Sequence, residues 1–196
     1  MKILFINARQ PVEEMSEGKL NAHIASCICV QLISKGHDIR TTEIIEGYDV
    51  EQEVEKHVWA DIIITQSPVY WFGNPWTYKK YVDEVFNAGL LNPRMVANDG
   101  RTRNDPNKQY GTGGLMQGKK YMLSLTWNAP EAAFNDKDQY LFQGKTVDDV
   151  FIFNTANYKF CGAEILPSFS FHDVLKHGVT NQDMERLRAH LDAHIS

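Results

Sequence analysis

The sequence predicts a single doubly wound α/β domain, built on a five-stranded parallel sheet with helices on both faces. Three observations carry this. Apolar runs of strand length alternate with longer segments whose apolar residues recur at helical spacing. The run at Asp61–Thr65 is apolar almost without interruption, as expected of a strand covered on both faces. The length, 196 residues with 43% hydrophobic and 23% charged, suits one domain with a full core.

The elements follow in order. Lys2–Asn7 is the first strand, and a polar loop, Ala8–Met15, comes after it. Leu20, Ile24, Ile28 and Leu32 then mark one face of a helix, with Ser16 as its expected N-cap and Gly36 as its stop. Asp38–Ile45 is the second strand. Val50, Val54 and Val58 place a helix over Val50–Trp59. After the third strand, Asp61–Thr65, comes QSPVYWFGNPW, Gln66–Trp76. There Asn74 and Pro75 read as N-cap and first position of a helix over Trp76–Phe86. Lys120–Thr126 is the fourth strand, Val147–Cys161 a helix and Glu164–Phe171 the fifth strand. A last helix starts near Thr180, with Met184, Leu187 and Leu191 inward.

Five strands joined by helical crossovers suit the order 2-1-3-4-5 of flavodoxin-like three-layer sandwiches. Such sheets bind ligands beyond the carboxyl ends of the strands, at the switch point. Three loops are expected to meet there: Ala8–Ser16, Gln66–Trp76 and Thr126–Pro130. A long excursion, Asn87–Lys119, breaks the pattern, and its ends are expected near the crevice, where it would form a wall, a lid or a dimer contact. Glu131–Thr146 is a second irregular stretch.

Candidate binding residues lie in these loops. The stretch Ser16-Glu17-Gly18-Lys19-Leu20-Asn21 opens the first helix, where free N–H groups and the helix dipole favour an anion. Glu13, Glu14 and Glu17 oppose a diphosphate there unless they point outward. Three consecutive aromatics, Tyr70, Trp71 and Phe72, leave a buried strand, and all three cannot face inward. They suit the flat, largely apolar ring of a flavin. Thr126-Trp127-Asn128-Ala129 leaves strand four at the same edge, with donors and acceptors for a polar ring edge. Tyr110-Gly111-Thr112-Gly113-Gly114 can form either a backbone nest or a simple hinge.

Other classes are disfavoured. The net charge of -5 argues against broad nucleic-acid binding. No apolar run is long enough to insert in a membrane, and the N-terminus lacks a signal-peptide pattern, so the expected location is the cytoplasm. Cys27 and Cys29 read as buried small hydrophobes, and the odd count of three with Cys161 fits a reducing compartment better than a disulfide framework. No GxGxxG, Walker or HExxH motif occurs, and the seven histidines do not cluster at metal spacing, so no metal is expected.

The stretch GRTRNDPNKQYGTGGLMQGKKYMLSLTWNAP, Gly100–Pro130, closely resembles the modulator of drug activity B family, flavodoxin-like NADPH:quinone reductases. The resemblance extends through GKLN at Gly18–Asn21, WAD at Trp59–Asp61, the Pro68–Trp76 loop and GAEILPSF at Gly162–Phe169. It implies FAD as cofactor, NADPH as hydride donor, a quinone acceptor and a homodimer. It also implies cofactor contacts at Ser16, Glu17, Gly18, Lys19, Leu20, Asn21, Ala22 and His23. Further contacts fall at Val69, Tyr70, Trp71, Phe72, Tyr110, Thr126, Trp127, Asn128 and Ala129, with Tyr110 a catalytic candidate. Two features depart from the family pattern: the acidic first loop, and Tyr70 where a second Trp is more typical. The competing readings are a flavodoxin-type electron carrier and a non-enzymatic α/β binding domain.

Overall fold

A computed structural model describes residues 1–14 and 16–195; Met15, the end of the first polar loop, lies outside the described residues. The parallel sheet is β1 (Lys2–Asn7), β2 (Asp38–Glu43), β3 (Ile62–Pro68), β4 (Lys120–Thr126), β5 (Glu164–Ile165) and β6 (Phe169–Phe171). Its order is β2-β1-β3-β4-β5, with β6 also paired to β4, so the expected order holds. The expected fifth strand is split. Leu166 N–H still bonds Tyr121 O at 2.8 Å, but Pro167 has no N–H to give and the ladder resumes only at Phe169.

Alternation along the strands builds two cores. Ile3, Phe5, Ile62, Ile64 and Met122 pack on one face with α1 (Lys19–Ser34) and α7 (Asn181–His194). Leu4, Ile6, Ile63, Tyr121, Leu123 and Leu125 face α2 (Val50–Trp59), α3 (Trp76–Leu91) and α5 (Ile152–Phe160). Burying each such aliphatic side chain is worth about 1.5–3 kcal/mol, so a one-residue register slip would be prohibitive.

Several boundaries differ from expectation. Gly18, at φ 71°, and not Ser16, caps α1; the Ser16 hydroxyl accepts the Gly18 N–H instead, at 3.2 Å. Gly36 ends α1 as expected, in a Schellman arrangement: Gly36 N–H bonds Ile33 O and His37 N–H bonds Leu32 O. β2 stops at Glu43, where a 3-10 turn over Ile44–Glu46 begins. β3 continues to Pro68, so Ser67 and Pro68 belong to the strand and not to the aromatic loop. Pro75, not Asn74, caps α3, because the Asn74 side chain is turned onto the Ser67 hydroxyl at 2.8 Å. The helix expected over Val147–Cys161 is two: a turn, α4 (Val147–Val150), and α5, separated where Phe151 leaves helical geometry. A further turn, α6 (Val174–His177), was not expected from the sequence. Thr180 caps α7 in a capping box with Asp183.

The excursion departs most. α3 runs back along the sheet, so the segment after Leu91 starts at the amino ends of the strands and rejoins β4 there. Lys120 N–H bonds Asp61 O, and Met116 N–H bonds Cys161 O. Its glycines serve close packing and not an anion nest: a Cβ on Gly114 would overlap the Cys161 carbonyl, and one on Gly113 the Asn98 carbonyl.

Candidate functional site

The loops after β1, β3 and β4 meet at the carboxyl edge of the sheet, as the topology requires. A buried polar triad underlies them. Gln66 Nε2 donates to Asn21 Oδ1 at 2.8 Å, and Asn21 Nδ2 donates to Thr126 Oγ1 at 3.1 Å. All three residues are buried, so α1, β3 and β4 are tied together at their site ends. Among the described residues the Gln66 Oε1 has no partner. Val69 N–H bonds Thr126 O at 3.0 Å, and Tyr70 OH donates to Gln10 O at 2.7 Å, joining the aromatic loop to both neighbours.

The α1 N-terminus is open. It has no side-chain cap and no acidic residue in its first turn, so the N–H groups that open α1 face outward with the positive end of the dipole. Glu13, Glu14 and Glu17 are all exposed, and Glu17 pairs with Lys19. Arg9, missed in the sequence, packs beside Gly18, its Cβ and Cδ 3.7 Å from where a Gly18 Cβ would stand. Glu43 at 2.9 Å and Glu46 at 3.3 Å hold its guanidinium. Only a lone cation after a strand could have signalled it.

The aromatic loop closes as a tight turn. Tyr70 N–H bonds Gly73 O and Gly73 N–H bonds Tyr70 O, with Trp71 at φ 49° and Phe72 at φ 65° between them. Left-handed backbone at two bulky residues costs roughly 1–2 kcal/mol each. The turn carries Trp71 outward, 94% exposed, with Phe72 half exposed and edge-on to Phe142 at 5.9 Å. Backbone strain held in place of an easier Gly turn is typical of ligand clamps.

Other expected residues lie elsewhere. The Trp127 ring is buried in the core against Phe134, Phe142 and Phe151, and the Trp127 backbone N–H bonds Phe171 O, so neither the ring nor that N–H is presented to a ligand. Asn128 is exposed, and Ala129 O accepts from Asp173 N–H and His172 Nδ1. Lys19, Leu20, Ala22 and His23 line the first turns of α1, with Lys19 and His23 exposed, and Ser16 precedes its Gly18 cap. Tyr110 sits at the other end of the sheet, on Phe160 at 5.3 Å and under the Arg101 guanidinium. The length of β4 separates it from the three loops, about 20 Å. Arg101 is itself held by Asp99, whose carboxyl it keeps below the usual range. Cys29 and Cys27 are only half-buried, and Cys161 is buried. Among the described residues no group of three His, Cys, Asp or Glu could hold a metal, and no helix is long and apolar enough to cross a membrane.

Comparison with known proteins agrees with this architecture. A family model described as flavodoxin-like fold matches residues 1–195. An uncharacterized protein of Schizosaccharomyces pombe is 45% identical over 177 residues, covering 90% of this chain and 88% of the other. The protein named NADPH:quinone oxidoreductase MdaB of Haemophilus influenzae is 42% identical over 177 residues, 90% of this chain and 91% of its own. In crystal structures, general stress protein 14 of Treponema denticola in complex with FMN superposes with a TM-score of 0.67 at 22% identity, over 98% of both chains. The chain belongs to the family with the flavodoxin-like fold.

Proposed function

We propose that this protein is a flavin-dependent NAD(P)H:quinone oxidoreductase. The observation that carries this reading is the pairing of an uncapped helix N-terminus with a strained, outward-facing aromatic turn, joined through Tyr70 and Gln10. One end suits a diphosphate and the other a flat ring, so the residues present fit a flavin. Similarity to the Haemophilus protein supports the quinone as acceptor.

A bound flavin supplies two-electron hydride chemistry. The chain does the rest. The N–H groups that open α1 bind the diphosphate, with Gly18 allowing close approach. Trp71 and Phe72 would cover the ring and exclude water and Asn128 would meet its polar edge, while buried Thr126 holds Asn21 beneath the site. We take FAD over FMN from the resemblance of the Gly100–Pro130 block, although the Treponema relative is complexed with FMN. NADPH and the quinone would bind in turn beside Trp71 and Phe72, a ping-pong cycle suited to quinone detoxification in the cytoplasm. Tyr110 orients substrate from a second copy of the chain in a homodimer, since its own loops are out of reach.

Steady-state kinetics of the flavin-loaded protein with NADPH and NADH against a quinone panel test the reading, with chromatographic identification of the bound flavin. Parallel initial-rate lines are expected. A colourless protein that takes up neither FAD nor FMN would overturn the reading, and intersecting lines the ping-pong cycle.

A further inference from the structure

On the α1–α7 side of the sheet, away from the aromatic turn, a groove of about 360 Å³ runs between the two helices. Cys27 opens into it, one turn after His23 on α1. The Cys27 Sγ lies 3.7 Å from His23 Nε2, within reach of a sulfur hydrogen bond. Val30, Met184 and Leu187 supply an apolar wall, and Arg188 from α7 adds the cation. Among the described residues no carboxylate lines the groove. A half-buried thiol with a base at its side and a cation lining the same groove is the setting that makes cysteine nucleophilic.

We propose that Cys27 is a covalent capture site for quinones, with His23 as its base and the α1–α7 groove as the seat of the quinone ring. This rests on the reading that the protein meets quinones in its work. The step balances on its own. His23 Nε2 takes the thiol proton while Sγ bonds to an unsubstituted ring carbon. The displaced π pair moves to a carbonyl oxygen, which takes the proton from His23. The hydrogen on the substituted carbon then shifts to the second oxygen. The ring ends as a hydroquinone and Cys27 as a thioether, with no outside oxidant or reductant, and the mass rises by that of one quinone.

The other two cysteines are controls within the same chain. Burial pushes the Cys29 thiol up to about 11, aided by Glu43, and the Cys161 thiol up to about 12. Neither has a histidine partner among the described hydrogen bonds.

The test is to expose the flavin-loaded protein to equimolar 1,4-benzoquinone and follow intact mass and peptide maps with time, measuring NADPH-dependent quinone turnover in parallel. A single adduct on Cys27 is expected, absent in Cys27→Ser and formed roughly tenfold more slowly in His23→Asn, less than a full general-base effect because water also takes the proton. No adduct on Cys27, label appearing as fast on Cys29 or Cys161, or a Cys27 rate unchanged by His23→Asn would overturn it. The labelling readout does not depend on turnover. Loss of reductase activity with Cys27 still labelled therefore counts against the proposed function, and the reverse result against this site alone.

Discussion

The Tyr70 hydroxyl donates to the Gln10 carbonyl at 2.7 Å, and this bond ties the aromatic turn to the loop that feeds α1. Both ends of a bound flavin would therefore be positioned by one contact. Tyr70→Phe is expected to keep the fold and to weaken flavin binding about two- to tenfold, the worth of one ordinary hydrogen bond. Fluorescence titration of the apoprotein with FAD measures it.

Trp71 holds left-handed backbone while almost wholly exposed. Trp71→Gly removes that strain and should raise the stability of the apoprotein by about 1 kcal/mol. It should also weaken flavin binding, since the ring cover is lost. Urea unfolding and flavin titration of the same variant should move in opposite directions. A variant both less stable and fully flavin-competent would contradict the assigned role.

Gln66 and Asn21 are buried and bonded at 2.8 Å. Gln66→Leu leaves Asn21 Oδ1 only the long Thr126 hydroxyl contact at 3.4 Å, which should cost about 1–3 kcal/mol. Denaturant midpoints report the loss, and hydrogen exchange should rise first at the start of α1.

His57 is fully buried between α2 and the tyrosine-rich core, with its Nδ1 on Glu53 O at 2.8 Å. Burial pulls its pKa down to about 4 from an ordinary 6.5. The unfolded chain thus takes up the proton first. This stability is full above about pH 6.5, falls as the pH drops towards 4, and amounts to about 3 kcal/mol across that window. Unfolding of wild type and His57→Gln at pH 7.5 and 4.5 should differ in slope, with the variant losing less on acidification.

Gly114 approaches the Cys161 carbonyl too closely for a Cβ. Gly114→Ala should destabilise by about 1–3 kcal/mol through overpacking, with the thermal midpoint as the readout.

The strand order, the two-faced helices and the three loops that form the site were all legible in the residues, because apolar periodicity is a local property that topology rules then arrange. Trp71 and Phe72 were placed at the carboxyl edge this way, and Asn21 at the opening of α1. Arg9 was not, since nothing near it in sequence says that Glu43 and Glu46 will hold it beside Gly18. Trp127 was assigned to the ligand because it leaves a strand at the correct edge. Its ring instead follows the strand alternation of Tyr121, Leu123 and Leu125 into the core.

By itself the sequence determined the fold and which loops gather at the carboxyl edge of the sheet, because burial requires each apolar stripe to meet another. Only the tertiary structure decided which way the aromatic turn presents Trp71. It also set Tyr110 at the far end of the sheet, because the direction of α3 carries the excursion to the amino ends of the strands. That direction is a property of the packed layers, and no local run of residues encodes it.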